Sequence, residues 1–279
     1  EAAWNGSVGV CLLQTAETLR RLGRLEAAHE LLQEALAIMA PLSDSRDYAV
    51  ALSYVAELAL DRGDFRDALQ RFKMLEVRGS ALQQLDLQMD AFRGQAHALS
   101  QLEQVGPALE AAQRALNLAR AQNDASRQVS TLIVFSEIHE RHGALALSYA
   151  RSRGLALPEK VVAGIPEADT SVANSPVANT SVAASPVADI SVAASPVADT
   201  SITDTPVAGS PVLGYLQQAL ELANTIAGYT IPGELLDAIA RQYASHGDFT
   251  EAYRISMQAI ASREKTHSQQ ATNRAIAMQ

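Results

Sequence analysis

The stretch "DRGDFRDALQRFKMLE" (residues 61–76) decides the fold. It follows a run in which Leu52, Val55, Ala56 and Ala59 recur at steps of three, one and three, the spacing of one face of a helix. Gly63 stands just after that run, where a helix end favours a residue that tolerates positive φ. A second helical pattern then begins, with a small residue, Ala68, one turn in and Leu75 seven residues further on. The stretch therefore reads as the hinge of a helix–turn–helix unit.

The same pattern recurs along the chain. "RLGRLEAAHELLQEAL" (21–36), "QLEQVGPALEAAQRAL" (101–116) and "SHGDFTEAYRISMQAI" (245–260) align with it, and the first three segments start 40 residues apart. Ala28, Ala68, Ala108 and Ala252 share one slot; Ala35, Ala115 and Ala259 share another, held by Leu75 in the second copy. Small residues in paired slots let helices approach to the short end of the ~8–10 Å interaxial range. Cys11, Leu12, Ala16, Leu19 and Leu22 form the preceding helical run of the first unit, and Phe92, Ala96 and Leu99 that of the third.

These units resemble tetratricopeptide repeats. The glycine, the aromatic two residues on and the alanine three after that are intact in "GDFRDA" (63–68) and "GDFTEA" (247–252), weaker in "GRLEAA" (23–28), and the third unit has Glu103 for the glycine. The resemblance implies an all-α fold, a right-handed superhelix of about five helix-turn-helix units. The usual repeat has about 34 residues, so the extra six are expected in longer joints such as "PLSDSRD" (41–47). Gly143, two periods after Gly63, closes the helical run "STLIVFSEIHERHG" (130–143), but its second helix is next legible only in "VLGYLQQALELA" (212–223). Two periods from 101 to 245 leave about 64 residues over. The organisation expected is residues 1–143 for three units and the first helix of a fourth, an insertion over 144–211, residues 212–262 for the rest of the fourth unit and a fifth, and a connecting helix over 263–279.

The insertion contains "VANSPVANTSVAASPVADISVAASPVADTSITDTPVAGSP" (172–211), with Val or Ile every fifth residue. A period of five suits neither helix nor strand, and its prolines remove backbone donors. A pentapeptide β-solenoid would need a second apolar row that is lacking here, so the expectation is disorder, with "GALALSYARSRGLAL" (143–157) opening it as a loosely held helix.

Composition narrows the function classes. Hydrophobic residues make up 48% of the 279 residues, enough for a large core, while aromatics at 5% argue against a sandwich of strands. The net charge of −9 and sequence pI ≈ 5.2 oppose binding to phosphate backbones, so no nucleic-acid partner is expected. No apolar run approaches ~18 residues, so no membrane partner is expected either. A single Cys11 leaves no intramolecular disulfide and agrees with a cytoplasmic setting. Its apolar helical surroundings predict burial rather than a reactive thiolate. Neither a Gly-rich phosphate loop nor a Cys–Cys metal spacing is present. "HERH" (139–142) has the spacing of a two-histidine metal site, but His139 falls in a slot that packs between helices and His142 at a solvated helix end. No metal, cofactor or catalytic activity is therefore expected, although an enzyme using Glu137 or Glu140 with His139 is a rival reading.

In the tetratricopeptide family the first helices of successive units line a concave groove. Carried onto this chain by register, the groove residues are Arg20, Arg21, Glu57, Asp61, Arg93, His97, Glu137, Glu140, Arg141, Asp237 and Arg241. Such a wall suits a protein or peptide partner. The slots of the family's carboxylate clamp hold Glu17, Glu57, His97, Glu137 and Arg241 in place of Lys and Asn, which disfavours that mode.

The last helix, from about Thr250, meets no glycine or proline before Gln279. Past Ser262 it turns polar, with Ala271, Ala275 and Met278 as a thin stripe suited to pairing with a second copy. The stretch 229–279 is similar to the junction of bacterial proteins that join tetratricopeptide repeats to a GGDEF-type diguanylate cyclase. That resemblance implies a regulatory module excised from a longer protein, relaying to an output domain beyond residue 279. A stand-alone peptide-binding adaptor is the alternative.

Overall fold

The computed structural model describes residues 2–158 and 210–277, with side chains described for 6–158 and 210–265. The pentad-rich segment falls outside the described residues, as do the side chains of Ala271, Ala275 and Met278. Ten α-helices and one short 3-10 helix, with no strand, make up the described residues. They pair as α1 (Ala2–Arg21) with α2 (Leu25–Met39), α3 (Arg46–Asp61) with α4 (Phe65–Ala81), and α5 (Leu85–Gln101) with α6 (Val105–Ala121). The fourth pair is α7 (Ala125–Arg153) with α8 (Pro211–Thr225), and the fifth is α9 (Gly233–Ser245) with α10 (Phe249–Ala277).

The core follows the small-residue slots. Ala28, Ala68, Ala108, Ala35, Ala115 and Ala259 are fully buried, as is Leu75. Close approach is also built from glycine: a Cβ on Gly94 of α5 would lie 2.2 Å from the Phe72 ring of α4, so any larger residue there would push the buried ring out of its place. In α1 the inward face runs through Leu13 and Ala16, whereas Cys11 and Leu22 are exposed. The expectation that Cys11 is buried is thus corrected. Its own turn already places Leu13 inward, and a position two residues away lies about 200° round the helix.

The turns have one chemistry. Gly23, Gly63 and Gly247 take positive φ, and so do Gln83, Glu103 and Asn123. At each, the next residue's N–H donates to a carbonyl five residues earlier, as in Asp64 to Ala59 at 2.8 Å, Gln84 to Gly79 at 2.8 Å and Gln104 to Leu99 at 2.9 Å. This is the Schellman closure of a helix end. It recurs at 63, 83, 103 and 123, so the joints between units are as tight as those inside them. The additional residues per repeat therefore lie in longer helices, not in long joints. The exceptions are the first joint, extended by the 3-10 helix Ala40–Leu42 and the Ser45 cap on Tyr48, and the joint between α8 and α9, which runs over residues 226–232.

Gly143 behaves differently, with φ 49 and ψ −122: the chain kinks there and continues helically to Arg153. The second arm of α7 packs on α6, where Ala146 and Ala150 are fully buried and the Tyr149 hydroxyl donates to Glu110 at 2.7 Å. Ala156 N–H then donates to Gln113 at 2.8 Å. Residues 144–158 are thus a packed part of the solenoid, although the sequence places the insertion's start at 144. α8 packs on the first arm of α7, where Phe135 and Tyr215 stack with centroids 5.2 Å apart.

Candidate functional site

The first helices of the five units, α1, α3, α5, α7 and α9, face one another through a ladder of charged side chains. Arg20 on α1 is the first rung. It is held by Glu17 at 2.7 Å on its own helix and reaches Glu57 at 3.2 Å and Asp61 at 2.5 Å on α3. Arg21 closes on Glu17 at 2.6 Å. Burial by itself would raise the Glu17 carboxyl, but hydrogen bonds from Arg20 and Arg21 overcome this and hold it below its ordinary range. Glu57 also takes Arg93 of α5 at 3.0 Å, so one carboxylate links three successive units. Further along the same helices, Arg127 of α7 pairs with Asp90 of α5 at 3.2 Å, and Arg46 of α3 with Asp86 of α5 at 2.5 Å.

The ladder changes character between α5 and α7. His97 Nδ1 lies 3.5 Å from Glu137, and burial, with Arg93 nearby, pushes the imidazole below its ordinary pKa and toward the neutral form. Crowding by protein raises Glu137, Glu140 and Glu234 add like-charge repulsion, and these outweigh Arg93 and Arg241, so its carboxyl is pushed up to about 7. Glu140 accepts a hydrogen bond from Gln242 of α9 at 3.0 Å. Beneath them lies a cavity of ≈ 420 Å³, floored by Val134 and Ile138 and walled by His97, Ser100, Glu137, Glu140 and Arg141.

Of the residues selected from sequence, Arg20, Glu57, Asp61 and Arg93 join directly through ion pairs between units, and His97 and Glu137 approach each other to 3.5 Å. Glu140 and Arg141 wall the cavity, and Arg241 acts on Glu137 through space. Arg141 pairs with Glu103 in the preceding turn at 3.0 Å. Asp237 pairs with Arg263 of α10, within its own unit, rather than with the groove ladder. Among the polar groups around the cavity, Ser100, Gln101, Glu234 and Gln242 escaped the sequence reading, as did the rungs Arg46–Asp86 and Arg127–Asp90. Ser100 had a legible signal, because it occupies the register slot of Arg20 two periods on.

The two histidines of "HERH" face different partners. His139 is buried against the Tyr215 ring, centroids 5.0 Å apart, with Nδ1 on the Phe135 carbonyl at 3.0 Å. The side chain of His142 is only 4% exposed, with Nε2 on Ser100 and Nδ1 3.4 Å from Glu103, so it does not stand at a solvated end. Among the described residues no group of three or more His, Cys, Asp or Glu side chains is placed to hold a metal ion. Nor is any described helix long and apolar enough to cross a membrane.

No curated protein matches the chain. Among solved structures, BtubC (BKLC) from P. vanneervenii is similar at 13% identity, covering 94% of this chain and 82% of that one, with a TM-score of 0.52. A putative kinesin light chain with nearly identical TPR-like repeats from Podosopora anserina matches at 12% identity over 94% and 97% of the two chains, TM-score 0.48. Aspartyl phosphate phosphatase F from Bacillus subtilis matches at 12% over 93% and 60%, TM-score 0.48. Residues 10–75 match the family model of the tetratricopeptide repeat, and the likeness to BtubC extends the same all-helical repeat architecture along the chain: the fold is a tetratricopeptide-repeat superhelix.

Proposed function

We propose that the chain is a protein-interaction module that holds a segment of a partner protein along the wall formed by α1, α3, α5, α7 and α9. The observation that carries this reading is the continuous ladder from Glu17 to Glu140, which joins successive first helices and presents charge on a rigid surface. A pre-organised wall binds without first ordering its own side chains, which lowers the entropic cost of association. A photo-crosslinker at His97 should capture the partner, whereas one at Lys73 on α4 should not; equal capture from both positions would count against the groove.

The finer part of the proposal concerns output. We place the module as the regulatory arm of a bacterial signalling protein of the tetratricopeptide–GGDEF type, with α10 as the connection. α10 is fastened to its unit by the Ser262 hydroxyl on the Ile231 carbonyl and by Arg263 on Asp237. It continues as helix for fourteen residues more, to Ala277, or about 20 Å at 1.5 Å per residue. A helical extension of that length can carry a change in the packing of the last unit to a neighbouring domain, and coupling of ~1–3 kcal/mol suffices for regulation. In the full-length protein, Ala271→Pro should abolish partner-dependent output while leaving the helical content of the repeats unchanged. Output regulated as before would rule out the relay and favour an adaptor.

A further inference from the structure

Units one and three can be compared slot by slot, because they stand two periods apart. Glu17 corresponds to His97, Arg20 to Ser100, Glu57 to Glu137 and Asp61 to Arg141. Between the first two units, the Arg20 guanidinium fills the space in front of Glu57 and satisfies three carboxylates. Between the third and fourth, Ser100 is too short to do so. Its hydroxyl faces His142 at 3.1 Å, and the space that the longer side chain fills two periods earlier is instead the ≈ 420 Å³ cavity.

The carboxylate at the Glu57 slot has nevertheless been kept, as Glu137, and Glu140 stands one turn further along α7. The cations around them are engaged elsewhere: Arg93 with Glu57 at 3.0 Å, and Arg141 with Glu103 at 3.0 Å. His97, the nearest basic group to Glu137, is held toward neutrality by burial. α9 adds Glu234 and Arg241, one charge of each sign, and Asp61 of α3 faces His97. The cavity thus carries two carboxylates without a committed guanidinium, in a place where the same fold has built a guanidinium site once already.

We propose that this cavity receives an arginine side chain of the partner segment, its guanidinium seated between Glu137 and Glu140 as Arg20 is seated between Glu17 and Glu57. The proposal rests on the groove being the partner-binding face. A planar fork of donors matches paired carboxylates better than a point charge, which selects arginine over lysine. The elevated pKa of Glu137 agrees with the arrangement: burial raises it first, Glu140 and Glu234 add like-charge repulsion, and Arg93 and Arg241 offset only part of this. Seating a cation there releases the proton, so binding tightens as pH rises through about 7.

The test is an NMR titration of the isotopically labelled full chain with acetyl-Gly-Arg-Gly-amide. Its counterpart carrying citrulline, which keeps the shape and removes the charge, serves as the control. Shifts are expected at residues 97–101 and 134–141, with the Glu137 carboxyl titrating at lower pH in the complex. The citrulline peptide should bind about tenfold more weakly. Glu137→Gln with Glu140→Gln should cost a similar factor, and Ser100→Arg, which supplies the guanidinium from within, should block the peptide. Equal affinity for the two peptides, unimpaired binding by a folded Ser100→Arg variant, or no shifts at all would overturn the proposal. Shifts along α1 and α3 but not at the cavity would overturn it while sparing the groove, and shifts confined to α2, α4 and α6 would overturn both.

Discussion

Tyr215 lies flat on Phe135, with ring centroids 5.2 Å apart and planes 14° from parallel, and its hydroxyl donates to the Ala156 carbonyl at 2.6 Å. One side chain thereby joins α8, the first arm of α7 and the segment after the second arm. With 1% of its surface exposed, Tyr215 is among the largest side chains fully enclosed in the fold. Tyr215→Ala should cost about 3–5 kcal/mol in urea unfolding, the range for removing a buried aromatic. Tyr215→Phe should cost about 1 kcal/mol, the net worth of one hydrogen bond. Its second signature is faster amide exchange at Leu155–Leu157, because the carbonyl they flank loses its donor. An exchange pattern unchanged in the phenylalanine variant would show that the hydroxyl does not fasten this segment.

His139, beside that stack, gives the fold a sensitivity to acid. Its Nδ1 lies on the Phe135 carbonyl, the donor's place in the neutral ring, while Nε2 is buried without a partner. Burial lowers its pKa from the ordinary 6.5, against the opposing effect of the Phe135 carbonyl. The unfolded chain therefore takes up a proton below about 6.5 that the folded one resists, and stability falls as pH drops through that value. His139→Leu removes the titrating group, so the loss of unfolding free energy on acidification below 6.5 should disappear, leaving the opposite slope that Glu137 imposes. Parallel curves would mean that the imidazole charges in place.

Glu137 works in the opposite direction. Its folded pKa of about 7 lies above the ordinary 4.5, so its contribution is fully present below 4.5 and is lost as pH rises through 7. Between 4.5 and 6.5 the two residues therefore oppose each other, and the parent protein's profile understates both. Glu137→Gln should remove the decline toward neutral pH and expose the rise due to His139; the double variant should be the flattest of the four. An unchanged slope in Glu137→Gln would show that water reaches the carboxylate well enough to leave it ordinary. Its half-exposed side chain makes that a demanding comparison.

The helical pairing was legible because it depends on spacing, and spacing survives changes of side chain. Ala68 and Ala108 mark close contact, and Gly63 and Gly247 mark turns, whichever residues surround them. Three things depended on information that spacing does not hold. Helix phase could not be read from an apolar run, so Cys11 was assigned inward when Leu13 and Ala16 fill that face. Pairing choice could not be read from charge: Asp237 turns to Arg263 within its unit, because α10 passes closer than α7 does. The cavity was hidden because its signal is a missing side chain, Ser100 for Arg20, which matters only once Glu57 and Arg20 are seen to touch. The tight joint at Gln83 was missed for a related reason, since glutamine gives no sign of a left-handed turn, whereas Asn123 carried a readable one, asparagine being the usual substitute for glycine there.

Those joints yield the last prediction. Gln83 sits at φ 54 with its side chain exposed, in a conformation that costs an L-residue about 1–2 kcal/mol and glycine almost nothing. Gln83→Gly should therefore stabilise the protein by up to about 1 kcal/mol, the remainder being lost to glycine's freedom in the unfolded chain. Thermal unfolding should move upward by about 2–4 °C, given the size of the domain. Glu103 makes the instructive comparison, for it takes φ 62 in the same turn but pairs with Arg141 at 3.0 Å and His142 at 3.4 Å. Glu103→Gly relieves the same backbone yet frees Arg141 beside the cavity, so it should gain less stability than Gln83→Gly. A larger gain at 103 than at 83 would mean that those ion pairs contribute nothing to the turn, and that Arg141 is not held by Glu103 in solution.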